Sequence, residues 1–447
     1  MNVLKRILRV ALLFCLSNLL FWIRRPELPL WLRIVLAVGL AVWYVVFQIR
    51  PRREKAVPKR LQIMIGGYEL FLTAGWCAAA ECLFYLALAL YGSPDVPVWL
   101  PLLVNLAVFL PLVFLTVLNG FLRLVFTSVQ LGILWRVLLL LCWWVPVLNI
   151  ALFWKACRVV HSEYRFETAK LELDSLRKEN EVCRTRYPIV LIHGIFFRDW
   201  QLVNYWGRIP RELVRNGAEL HYGRQQSAAP VAQSAAELKG QILKVLEETG
   251  AEKVNLIAHS KGGLDSRCAI STLGLAPHVA SLTTINTPHR GCIFAEVLLG
   301  KLPAGIVAFI AKRYNALFRK LGDRDPDFLG GVRDLAAGQC AAFNKATPDA
   351  PGVLYQSVMS TMGSPSGAAF PLSFTYRLVR KYDKEENDGL VSLSSSRWGV
   401  SLGNLTTPGK RGISHGDVID LMRENIEGFD VREFYVNLVK DLKAKGL

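Results

Sequence analysis

Lys253-Val254-Asn255-Leu256-Ile257-Ala258-His259-Ser260-Lys261-Gly262-Gly263 joins an apolar run to the start of a helix through a single serine. The run Lys253–Ile257 is short and rich in branched apolar residues, the pattern of a strand buried on both faces of a parallel sheet. A helical pattern follows the glycines to about Leu273. A strand that passes into a helix within so few residues must turn sharply, and side chains two before and two after the apex must be small. Ala258 and Gly262 meet that need, and alanine serves nearly as well as the usual glycine. Such a turn lifts the Ser260 hydroxyl clear of the sheet and aims the next N–H, that of Lys261, at the same space.

The neighbouring segments repeat the alternation. Pro188–Ile192 reads as a buried strand and is followed by His193-Gly194-Ile195. Helical patterns at Trp206–Asn216 and Ser234–Thr249 flank a short strand near Ala218–Tyr222, and Ala280–Ile285 is a further strand. Strands alternating with helices predict βαβ units and a parallel sheet, hence an α/β fold from residue 187 onward.

A serine nucleophile needs a histidine to take its proton and a carboxylate to orient that histidine. Of the seven histidines, a base placed late in the chain selects His415, in the loop-like Gly412-Ile413-Ser414-His415-Gly416-Asp417. Asp383, Glu385, Glu386 and Asp388 precede it, and composition does not separate them. Local pattern favours Asp388, because Gly389-Leu390-Val391 reads as a turn and the start of a strand.

The segments Tyr187–Trp200, Val254–Arg267, Thr283–Gly291 and Asn387–Val391 carry H-G, A-H-S-x-G-G, T-P-H-x-G and D-G-x-V blocks. In these the chain resembles the bacterial lipases and esterases of the α/β-hydrolase fold, over about residues 187–447. The resemblance implies Ser260 as nucleophile, Asp388 as acid and His415 as base. It implies an oxyanion hole from the backbone N–H groups of Ile195 and Lys261, and a helical lid at about 293–348, where amphipathic runs such as Ile306–Leu321 lie. Some lipases of this group bind calcium near the histidine, and Asp417 matches one half of that site. The expected upstream partner is missing, since Gly352–Tyr382 holds no Asp or Glu. One carboxylate does not satisfy calcium, so no cofactor is expected. His193, His259 and His289 are expected to be packed, and His161, His221 and His278 to lie at the surface. The Lys261 side chain is expected to be a solvated charge, and Asp265 and Arg267 a local ion-pair set.

The first third is of another kind. The chain has 447 residues, 52% hydrophobic and 20% charged, which excludes a disordered protein. Up to Lys155 there are 15 Lys and Arg against 5 Asp and Glu, with long apolar runs between them. Ile7–Ile23, Leu30–Ile49, Met64–Leu90, Val98–Leu118 and Val137–Trp154 each approach the length of a bilayer-spanning helix, and the apolar Leu124–Trp135 is shorter. Residues 1–155 therefore read as an all-α transmembrane region of four to six spans, and 156–186 as a charged helical connector ended by Tyr187-Pro188. Lys5, Arg6 and Arg9, with Arg50, Arg52, Arg53, Lys55, Lys59 and Arg60, mark the cytoplasmic side. The Tyr91–Pro97 loop, with Asp95 and no Lys or Arg, fits the outside. Arg24-Arg25-Pro26 is no cleavage site, so the first run reads as a retained anchor.

Glu69 and Glu81 fall inside one apolar run. Acidic residues there are costly; they either line a cavity or are neutralised by neighbouring arginine or by protonation. Nine scattered cysteines without a C-x-x-C pair suggest neither zinc nor a disulfide framework. The basic excess is explained by topology and no nucleic-acid motif accompanies it. The expectation is a multi-pass cell-membrane protein whose catalytic domain faces the cytoplasm and hydrolyses lipid esters. An acyl-thioesterase or acyltransferase uses the same triad; an inactive membrane scaffold would have no need to keep all three residues. The sequence says nothing of oligomeric state.

Overall fold

A computed structural model describes residues 3–23, 28–52, 57–91, 99–142, 145, 147–177, 179–195, 205–320 and 322–447. The Tyr91–Pro97 loop beyond Tyr91, the Arg24-Arg25-Pro26 stretch, Arg53, Lys55, Leu321 and the end of the Tyr187–Trp200 block lie outside the described residues. The chain divides into two units, Met1–Glu172 and Leu173–Leu447.

Among its described residues the first unit is helical: α1 (Val3–Ser17), α2 (Leu19–Ile23), α3 (Leu30–Ile49), α4 (Lys59–Tyr91), α5 (Trp99–Thr127), α6 (Ile133–Leu141) and α7 (Leu148–Arg177). Three helices among the described residues are long and apolar enough to cross a membrane: Leu30–Ile49, Lys59–Tyr91 and Leu102–Thr127. The other two apolar runs are divided. The first breaks at Asn18, between α1 and α2, and the last is split between α6 and α7. The charged connector is no separate element, for α7 carries its first part in one helix with the preceding apolar residues.

The outward surface of α3 is apolar. Ile34, Val38, Val42 and Val45 are each more than half exposed, at 54%, 55%, 58% and 55%. Polar groups point inward instead. Glu163 on α7 takes the N–H groups of Val129 and Gln130, the Ser128 hydroxyl at 2.7 Å and the Arg60 guanidinium at 2.6 Å. This one carboxylate ties down the turn after α5. Glu69 receives Arg6 at 3.0 Å through Oε1, with Arg52 and Arg9 at 3.6 and 3.8 Å.

Among its described residues the second unit holds six strands: β1 (Ile189–Ile192), β2 (Leu220–Tyr222), β3 (Val254–His259), β4 (Val279–Ile285), β5 (Leu354–Ser360) and β6 (Val400–Leu405). They form one sheet in the order β2-β1-β3-β4-β5-β6, every pair parallel. The helices are α8 (Ile209–Arg215), α9 (Val231–Thr249), α10 (Lys261–Ser271), α11 (Ile293–Gly300), α12 (Ala304–Lys320), α13 (Phe328–Arg333), α14 (Ala337–Ala346), α15 (Leu372–Tyr382), α16 (Leu393–Ser396) and α17 (Val431–Ala444).

Strand alternation separates two cores. Val190, Ile192, Leu256 and Ala258 pack with Leu238 and Ile242 of α9 and with Leu264 of α10. Ile189, Leu191 and Ile257 pack on the other side with Leu213 of α8, Trp206, and Tyr435 and Val439 of α17. With both faces covered, the strands read as continuous apolar runs in the sequence. The neighbouring strands β1 and β3 end within a residue of each other, Ile192 lying in register with Ala258 and β3 running one residue further to His259, so the residues that follow both strands emerge at one edge of the sheet.

Two details of the second unit differ from expectation. Gly389-Leu390-Val391 does not start a strand; it is a turn leading into the short α16. The Lys261 side chain is not solvated. It lies buried on the inner face of α10, with Nζ 2.7 Å from Asp265 and 3.0 Å from the Ser234 hydroxyl. Burial pushes the Asp265 carboxyl up to about 7, against the pull of Lys261. Lys261→Met therefore leaves an unpaired buried carboxyl, at a cost of about 3–5 kcal/mol when it is charged. The acid's pKa in the folded variant stands above its unfolded value, so that stability is lost as pH rises. Urea denaturation should find the variant nearer wild type at mildly acid pH than at mildly alkaline pH, and Lys261→Met/Asp265→Asn should remove the difference.

Candidate active site

Ser260 stands between β3 and α10 with φ 54° and ψ −132°, a strained conformation for a residue with a side chain. Its N–H donates to the Ile285 carbonyl at 2.9 Å, which fixes the turn to the end of β4. The expected need for small neighbours is visible in distances. A Cβ on Gly262 would lie 2.5 Å from the His193 carbonyl oxygen, and one on Gly194 would lie 2.8 Å from the Ser260 Cβ. Ala258 is fully buried in β3.

His415 follows Ile413, whose N–H donates to Thr361 just beyond β5. Its Nδ1 lies 2.6 Å from Asp388 Oδ2. The other oxygen, Asp388 Oδ1, accepts the N–H groups of Leu390 and Val391, each at 2.8 Å. The His415 N–H donates to the Asp388 carbonyl at 2.8 Å. The turn that the sequence suggested was a strand start is thus a cradle for the carboxylate. With Nδ1–H given to Asp388, Nε2 is left as a proton acceptor. Of the four carboxylates left open by composition, Asp388 is the one that meets His415. Glu385 instead accepts the Ser394 N–H.

Ser260 and His415 share the wall of a small apolar cavity of about 20 Å³, with Ile195, Phe294, Val332 and Leu335 among its other lining residues. That volume holds about one water molecule. Phe294 is the second residue of α11, and Val332 and Leu335 belong to and follow α13, so parts of the 293–348 segment line the cavity beside the serine. Cys292 also reaches the cavity, but burial pushes its thiol up to about 11, so it stays protonated.

Tyr205 is a residue that sequence reasoning missed. Its hydroxyl accepts the Gly194 N–H at 3.0 Å and lies 2.6 Å from His259 Nδ1. The Gly194 donor is therefore occupied, and Ile195 carries the next N–H after β1. Lys261 is the first residue of α10, where an N–H has no acceptor within the helix. His259 is buried, with its ring 4.5 Å from that of His415. Burial and the nearby His415 hold its pKa well below the usual imidazole range, so it adds no charge beside His415. Nothing in the sequence marks Tyr205, whose partners stand 11 residues before it and 54 after it. Tyr205→Phe strands two buried groups, at about 1–3 kcal/mol each. It should lower kcat by about 10- to 100-fold through displacement of Gly194-Ile195, with a smaller change in KM, as steady-state kinetics would show.

Other expectations are amended. Asp265 pairs with Lys261, whereas Arg267 reaches Asn344 at 2.7 Å and the Thr347 carbonyl at 3.0 Å. The Arg267 guanidinium lies 3.5 Å from the centre of the Trp398 ring, and burial lowers its pKa to about 10. His193, His259 and His289 are buried, and His161, His221 and His278 are half-buried instead of fully at the surface. Asp417 does not fit a calcium site. Its carboxylate is taken by Arg411 at 3.0 Å and by the Ser414 N–H and hydroxyl, each at 2.8 Å. The Arg411 guanidinium already neutralises this carboxylate.

No family model matches the chain. A triacylglycerol lipase of Vibrio cholerae serotype O1 is 32% identical over 240 residues, 48% of this chain and 75% of that protein. The chain belongs to the bacterial lipase/esterase family of α/β-hydrolases. Triacylglycerol lipases of Pseudarthrobacter phenanthrenivorans and Burkholderia plantarii are each 37% identical to this family member over 180 residues, 37% of its length. It spans about half the length of these two relatives, 55% and 49%. Among solved structures, the Staphylococcus hyicus lipase matches 58% of the chain and 97% of its own, with TM-score 0.45 and 18% identity.

Proposed function

We propose that this protein is a membrane-anchored serine hydrolase that cleaves lipid esters through an acyl-enzyme. One observation carries the reading: a strained serine between strand and helix shares an apolar cavity with a histidine whose far nitrogen is held by a buried carboxylate. Ser260 Oγ attacks the ester carbonyl while His415 Nε2 takes its proton. The oxyanion is held by the N–H groups of Ile195 and Lys261, each worth about 3 kcal/mol of barrier. His415 returns the proton to the leaving alcohol, then draws one from water to release the fatty acid. Asp388 steadies the imidazolium in both steps. No step runs through a metal, and Asp417 is assigned a structural role with Arg411.

The cavity is too small for an acyl chain, so the segment carrying Phe294, Val332 and Leu335 acts as a lid that must move for substrate to enter. The apolar outward face of α3 and the lengths of α3, α4 and α5 support embedding in a bilayer. Anchoring lets an amphiphilic substrate reach Ser260 without crossing water. The basic residues at the N-terminus and after α3 support a cytoplasmic catalytic domain.

The test is release of fatty acid by the full-length protein in vesicles loaded with triacylglycerol, phospholipid or an acyl thioester. Hydrolysis of an oxygen ester of a lipid is expected. Turnover of the thioester alone, or of none of the three, overturns the reading. Protease protection of sealed and opened cells tests the side.

A further inference from the structure

The two acidic residues of α4 have opposite surroundings. Glu69 is met by arginine, with Arg6 bonded to both its oxygens. Glu81 is equally buried, at 1% exposure, and no Lys, Arg or His forms an ion pair with it among the described residues. Among the described residues, neutral donors hold its carboxylate. Oε1 accepts Asn105 Nδ2 at 2.6 Å; Oε2 accepts Asn18 Nδ2 at 2.8 Å and the Ser17 hydroxyl at 3.5 Å. A lone negative charge away from water costs several kcal/mol, and neutral amides offset only part of that.

Two further observations mark the spot. Asn105 is fully buried, and its Oδ1 has no hydrogen-bond partner, although its Nδ2 reaches Glu81, Asn18 Oδ1 and the Tyr85 hydroxyl. Asn18 is also where the first apolar run breaks between α1 and α2. Interrupted helices at membrane depth recur where small ions bind, because the break frees polar groups from the helix ladder. Three helical segments therefore converge on one carboxylate: Glu81 from α4 meets the Asn105 amide nitrogen from α5, and the Ser17 hydroxyl and Asn18 amide nitrogen from the α1–α2 break. The other titratable groups beside it are Cys77 and Tyr85 of α4, with Cys15 of α1 next to Cys77.

We infer that Glu81 binds a sodium ion within the membrane unit. Sodium takes the carboxylate once the Asn105 amide turns its unpartnered Oδ1 toward it. It offsets the buried charge, and the cluster becomes a cation site separate from the hydrolase chemistry. The inference rests on the proposal that this unit lies in a bilayer, which alkaline carbonate extraction tests on its own.

Dicyclohexylcarbodiimide, an apolar reagent that modifies protonated carboxyls out of water, tests the site in the full-length protein in vesicles, with adducts located by peptide mass. Glu81 is expected to be modified and the arginine-bound Glu69 is not; Glu81→Gln should lose the adduct. Replacing choline chloride by sodium chloride slows labelling several-fold and raises Tm in the wild type, and leaves the Tm of Glu81→Gln unmoved. Labelling and a Tm that are both indifferent to sodium overturn the inference. Extraction of the protein by carbonate instead fails the membrane reading alone.

Discussion

Ser260→Ala is expected to lower kcat for ester hydrolysis by a factor on the order of 10⁶, with little change in KM or Tm. The size of the loss follows from the division of labour. Among the described residues, the Ser260 hydroxyl combines the apex of the turn after β3 with a place on the cavity wall beside His415. Cys292, the other group there with nucleophilic potential, is held as a thiol by burial. The Ile195 and Lys261 N–H groups remain, so activity about 10³-fold above water is retained by oxyanion binding. The fold should be spared. The strained turn is held by the Ser260 backbone N–H on Ile285 and by the close approach at Gly262, and neither uses the hydroxyl. Single-turnover kinetics with equal Tm separates lost chemistry from lost structure.

Asp388→Asn is expected to cost about 10⁴ in kcat, through the wrong histidine tautomer. The carboxylate is fixed from two sides. Oδ1 takes two backbone N–H groups, which leaves Oδ2 for His415 Nδ1. Asparagine keeps its carbonyl oxygen in the backbone cradle and turns its NH₂ toward His415. The ring then accepts at Nδ1 and carries its proton on Nε2, where it cannot relieve Ser260. Asp383→Asn should keep near-full turnover, because Asp383 sits at the end of α15, half-buried and bonded to Ser392. The reverse result would reassign the acid.

The sheet was legible where its strands are apolar. Pro188–Ile192, Lys253–Ile257 and Ala280–Ile285 correspond to β1, β3 and β4 within a residue or two. β5 and β6 were not legible, for physical reasons. β5 carries buried polar residues, each satisfied by a neighbour: Gln356 on Thr283, Ser357 on the Trp398 N–H, Ser360 on Asn286. β6 is an exposed edge interrupted by Gly403, with no apolar alternation to read. Local pattern pointed to Asp388 for a partly mistaken reason, since Leu390 and Val391 offer it a cradle of N–H groups and do not begin a strand. Lys261 was misread because a lysine is ordinarily solvated; its partners, Asp265 one turn on and Ser234 on α9, appear only once the helices pack. Likewise, hydropathy marked both Glu69 and Glu81 but not which of them arginine meets.

The most direct measurement is covalent labelling of the full-length protein by a fluorophosphonate probe, with the adduct located by peptide mass mapping. Such a probe needs a serine activated by its base and an oxyanion hole to receive the phosphoryl oxygen. The account predicts a single adduct, on Ser260, lost in Ser260→Ala and sharply slowed in Asp388→Asn. A wild-type protein that remains unlabelled, or an adduct on another residue that persists in Ser260→Ala, would contradict it.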